Sequence, residues 1–134
     1  MARYGLSTVP TTILSPIIFN HRFFNLGMLY NNGIFIIDYP GYYRIDIKSY
    51  CDEGKTDSKF VGFQLMINSS AKMHQYSRWA APAQASGIFF LNAFDTVFVQ
   101  MIDGGSNQGT LARGHQMNNI QIEKLDWILQ PVIS

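Results

Sequence analysis

Apolar residues along this chain recur at every second position more often than at every third or fourth, and turn-forming residues interrupt them every eight to twelve residues. The run Tyr42-Tyr43-Arg44-Ile45-Asp46-Ile47-Lys48 is the clearest case. It predicts a strand with Tyr43, Ile45 and Ile47 on a core face and Tyr42, Arg44, Asp46 and Lys48 on the other. Gly33 to Asp38 follows an Asn31-Asn32-Gly33 turn and stops at Pro40-Gly41, a pair that suits a type II turn with glycine at the positive φ. Further strands are expected at Phe60–Ile67, Gly87–Leu91, Thr96–Ile102 and Met117–Leu125. Residues 11–20 supply a first strand interrupted by Pro16, which suits an edge. Many short strands and no long helix point to an all-β sandwich or barrel.

Two segments stand apart from this pattern. Residues 68–86 read as a loop dense in polar aromatic and basic groups: Lys72, His74, Tyr76, Arg78 and Trp79. Such a set either recognises a sugar or a protein or packs on the body of the domain and its neighbours. Residues 126–134 form an apolar tail whose Trp127, Ile128 and Leu129 are candidates for anchoring to a larger particle.

Composition narrows the function. The chain has 134 residues, the size of one domain. Apolar residues make up 47% and charged residues 14%, against about 25% charged in an average soluble domain. That deficit points to surface covered by another copy. A formal net charge of +1 with no run of either sign argues against nucleic acid as a partner. No stretch has the roughly twenty apolar residues of a membrane span, and no signal-peptide pattern opens the chain. The expectation is a protein made in a cytoplasm that reaches the outside on a particle or by lysis.

Chemistry is sparse. Cys51 is the single cysteine and reads as a structural thiol. His21, His74 and His115 lack the neighbours of a zinc signature or a catalytic set, so no enzyme activity, metal or cofactor is expected. Asp103, in the glycine-rich run Asp103 to Gly109, is a weak calcium candidate because a second carboxylate is missing.

The series Asn25-Leu26-Gly27, Tyr30, Gly33-Ile34-Phe35 and Pro40-Gly41-Tyr42-Tyr43 resembles the globular heads of the complement q subunit and the wider tumour necrosis factor-like superfamily. The match continues at Ala85-Ser86-Gly87, Leu91 and Asp95-x-Val97-x-Val99-Gln100. Phe94 departs from the pattern, standing where the family has glycine, and Asn118 to Ile122 replace its closing strand. The resemblance implies a ten-strand jelly-roll sandwich, occupying residues 19–125 between an arm at 1–18 and the tail, that assembles as a homotrimer and binds partners without catalysis. It also implies that Tyr42, Arg44, Asp46 and Lys48 point to the threefold axis, joined by Phe98 and Gln100. From the residues alone that face is either solvated or covered.

The favoured functional expectation is a trimeric binding module on a virus or phage surface. It would decorate the capsid or form the receptor-binding head of a spike or tail fibre. Its partners would be itself and a capsid, fibre or host-surface protein or glycan, without membrane insertion. A secreted complement-q-like or cytokine-like ligand or lectin is the alternative, and an enzyme on a jelly-roll scaffold the least supported.

Overall fold

Half-buried alternation in Gly41–Tyr50 and in Asn119–Lys124 governs the architecture, because each strand can hide one face only against a second layer. The computed structural model describes residues 1–6, 15–25, 27–51, 60–78, 82–103, 105, 108 and 118–125, the side chains of Phe24 and Arg78 excepted. In chain order the strands are β1 (Ala2–Gly5), β2 (His21–Asn25), β3 (Leu29–Asn31), β4 (Ile34–Ile36) and β5 (Gly41–Tyr50). They continue as β6 (Phe60–Ile67), β7 (Ser70–Arg78), β8 (Pro82–Leu91), β9 (Thr96–Met101) and β10 (Asn119–Lys124).

These strands form two antiparallel five-stranded sheets, ordered β2-β1-β10-β5-β8 and β3-β4-β9-β6-β7. Between the sheets Ile45, Ile47, Ile120 and Ile122 from the first meet Phe35, Phe63, Leu65, Val97 and Val99 from the second. At one end of the core Tyr30 packs 4.3 Å from Tyr4 and 4.4 Å from Phe35, between ring centroids. The Tyr30 hydroxyl accepts from the Phe19 amide at 2.7 Å and contacts the Phe19 carbonyl at 3.1 Å. Burial pushes this hydroxyl up to about 12, since the charged form has lost its water.

Two hairpins turn on pairs of positive φ angles, the geometry that matches strand twist. Asn32 (φ 49) and Gly33 (φ 89) join β3 to β4, while Asn68 (φ 50) and Ser69 (φ 62) join β6 to β7. Phe94 is the other case, holding φ 71 at the position where the family pattern has glycine. Its amide donates to the Ile37 carbonyl at 2.7 Å, and the Asp95 carboxylate accepts from the Asn92 amide at 2.8 Å, so the neighbouring bonds hold the strained residue. The Phe94 side chain is 85% exposed and contributes little burial. Phe94→Gly is therefore expected to stabilise the fold by about 1 kcal/mol, read as a shift in the denaturant midpoint.

Four sequence expectations are corrected here. Residues 68–86 are no loop: they hold the turn into β7, all of β7 and the first half of β8. Within the arm and first edge segment expected at 1–18, β1 is not an edge strand, because it lies between β2 and β10. β1 itself gives the core Ala2 and Tyr4, too few positions to show alternation. Residues 15–20 form no strand, although Ile17 and Phe19 are buried and the Ile17 amide donates to the Val99 carbonyl at 2.7 Å. Finally, Gly41 has no positive φ: it opens β5, paired with Leu91. Residues 11–14 lie outside the described residues.

Candidate functional site

Two sheet faces turned away from the core carry the candidate residues. On the first sheet, β5 presents Tyr42, Arg44, Asp46 and Lys48 outward, as the alternation requires. The register sets Phe90 opposite Tyr42 and Ile88 opposite Arg44 on β8, and Glu123 opposite Arg44 and Gln121 opposite Asp46 on β10. Tyr42 and Phe90 meet edge to face at 5.2 Å. Ile88 is 59% exposed, Phe90 53% and Tyr42 40%, an apolar cluster on an otherwise polar face. Beside it Arg44 Nε lies 3.4 Å from Asp46 Oδ1. Toward the other edge the Arg3 guanidinium stacks 4.3 Å over the Phe23 ring, and its buried Nε has no hydrogen-bond partner among the described residues. A buried guanidinium nitrogen without an acceptor is costly.

Phe98 and Gln100 do not join this face. They belong to β9, in the opposite sheet, and point outward on the far side of the core. Phe98 lies opposite Met66, and Gln100 Nε2 donates to Gln64 Oε1 at 3.2 Å. With sheets packed about 10 Å apart, residues on the two outer faces cannot converge.

The second face belongs to β6 and β7. Here the structure gathers part of the expected recognition set. The His74 and Tyr76 rings are 5.4 Å apart, Phe60 meets Tyr76 at 5.4 Å, and Lys72 is exposed where a bulge shifts the register of β7 against β6. Arg78 ends the strand at the register position of Phe60. Trp79 lies outside the described residues, as do Trp127, Ile128 and Leu129 of the tail.

The inward side chains of β7 explain why it escaped recognition as a strand. Gln75 and Ser77 are buried but polar: Ser49 Oγ bonds Gln75 Oε1 at 2.8 Å, and the Cys51 amide donates to Ser77 Oγ at 2.7 Å. Lys72, His74, Tyr76 and Arg78 do fall at every second position, and that spacing was the available signal. Ile88 and Phe90 were also missed as surface candidates. Their signal was a β8 run apolar on both faces, the mark of a strand covered on both sides.

No group of three or more His, Cys, Asp or Glu residues that could hold a metal is present among the described residues. Asp103 Oδ1 accepts from the Gly105 amide at 2.9 Å, a bond that closes its own turn. A cleft of about 400 Å³ is lined by residues that include Met28, Ile36, Asp38, Tyr43, Glu123 and Lys124. Its residues come from well-separated segments, so no local motif announces it.

Comparisons with known proteins place this geometry. The family described as the C1q domain matches residues 3–120. Among solved structures the chain is similar to Eiger TNF from S. frugiperda, with a TM-score of 0.69 and 14% identity over 92% of this chain and 90% of that one. It is also similar to murine APRIL at pH 8.0, with a TM-score of 0.66 and 12% identity over 92% and 97% of the two chains. At these identities the likeness establishes the fold. No curated protein matches the sequence.

Proposed function

The chain belongs to the C1q domain family, whose domains are typically trimeric ligand-binding modules, and from that premise we propose that it is a non-enzymatic homotrimeric binding module. Its copies pack through the outer face of β2-β1-β10-β5-β8. The observation that carries this reading is the exposed cluster Tyr42, Ile88 and Phe90 beside the Arg44–Asp46 pair, with Arg3 Nε buried and unpartnered among the described residues. Covering that cluster removes apolar surface from water at roughly 25 cal/mol per Å². Asp46 and Glu123 of one copy are the carboxylates available to Arg3, Arg44 and Lys48 of another.

In this reading the trimer belongs to the surface of a virus or phage particle, as capsid decoration or as a receptor-binding head. The low charged fraction and the apolar run Trp127-Ile128-Leu129 support it. Deleting residues 126–134 is expected to abolish co-sedimentation with purified particles while the trimer persists. Undiminished co-sedimentation would reject the tail as the anchor. A full-length chain that never co-sediments would place it among secreted ligands instead.

A further inference from the structure

The outer surface of β6 and β7 has a chemistry different from the trimer face. None of β3, β4, β9, β6 and β7 contains an aspartate or glutamate. The carboxylate of Asp95, just ahead of β9, is engaged by Asn68 Nδ2 at 2.9 Å and by the Asn92 amide. Against that background Lys72 and His74 stand exposed on one edge strand. Between them and Phe60 lies Tyr76, 49% exposed. Its ring is seated over Gly62: a Cβ there would stand 3.0 Å from Tyr76 Cδ1, so the missing side chain makes room for the ring to lie against the sheet. In the adjoining row His74 is opposite Gln64, which is opposite Gln100, and the two amides bond each other with donors and acceptors to spare.

We propose that this surface binds an acidic glycan. A sugar ring stacks its apolar face on Tyr76, its hydroxyls bond the Gln64 and Gln100 amides, and its carboxylate or sulfate pairs with Lys72 and His74. One lysine and one histidine are too few to hold a nucleic acid, whose affinity rests on many phosphate contacts. A seated aromatic ring, neutral amides, and an exposed lysine and histidine on strands that carry no acid match a charged sugar. The inference rests on the reading of the chain as a binding module and names the chemistry of its partner. Three copies in one particle would multiply weak single-site binding through avidity.

The test passes the full chain over surfaces bearing 3′-sialyllactose, a heparin tetrasaccharide or lactose, with the solution mass measured in parallel by light scattering. Binding to an acidic sugar is expected to exceed lactose binding about tenfold, and Tyr76→Ala and Lys72→Glu are each expected to weaken it about tenfold with melting temperature and mass unchanged. Retention on sialyllactose alone assigns the anion as carboxylate, and on heparin alone as sulfate; either supports the proposal. Equal binding to lactose, or no binding to either acidic sugar by a chain of trimeric mass, overturns it and leaves the trimer reading intact. A monomeric chain that still binds an acidic sugar through Tyr76 supports it and overturns the trimer.

Discussion

Aspartate in place of Phe90 or Ile88 is expected to separate the proposed trimer into monomers that keep their fold. Both side chains are more than half exposed in the single chain, so either substitution should change monomer stability by only about 0.5 kcal/mol. In the proposed assembly Phe90→Asp places in every subunit contact a carboxylate opposite Tyr42 with no cation across from it, which costs several kcal/mol per copy, while Ile88→Asp, opposite Arg44, is expected to cost less. The expected reading in light scattering is a fall from three times 15.2 kDa to 15.2 kDa, with the far-ultraviolet spectrum unchanged. Leu29→Asp is the control, because Leu29 is equally exposed but lies on β3 of the opposite sheet. It should leave the mass at three copies. Loss of the trimer by Leu29→Asp and its retention by Phe90→Asp would exchange the roles of the two faces.

Gly33→Ala is expected to destabilise the fold by about 3 kcal/mol, enough to unfold a marginal domain near physiological temperature. Gly33 holds φ 89, and a Cβ there would meet the Ile17 carbonyl oxygen at 2.6 Å. Ile17 cannot retreat easily, since its amide is bonded to the Val99 carbonyl on β9 and its side chain is buried. Gly27→Ala separates the two causes. Gly27 holds φ 81 with nothing within 4 Å of an added Cβ, so it should lose only the roughly 1–2 kcal/mol of left-handed strain. Equal losses at the two positions in urea unfolding would show that the contact with Ile17 is relieved by backbone movement.

What the sequence disclosed depends on how each strand is buried. β5 and β10 were legible because their inward positions are Tyr and Ile and their outward ones polar. β7 has the same period, but Gln75 and Ser77 point inward, bonded to Ser49 and the Cys51 amide, so no hydrophobic alternation marks it. The residue types of its recognition set were visible; that Lys72, His74 and Tyr76 line up on one strand was not. β9 shows a third limit. Val97 and Val99 face inward, yet alternation along one strand does not say which sheet the strand joins. Pairing with β4 and β6 is a long-range property, and it placed Phe98 and Gln100 on the face opposite to the expected one. The Asn32-Gly33 turn was legible because its chemistry is local.

The shared claim is that one copy of this chain is an incomplete object, finished by two others laid against Tyr42, Ile88 and Phe90. Sedimentation equilibrium of the unmodified chain at micromolar concentration measures this directly. Three copies per particle is the predicted result. A stable species of 15.2 kDa, with Tyr42 open to small-molecule quenchers of its fluorescence, would contradict it.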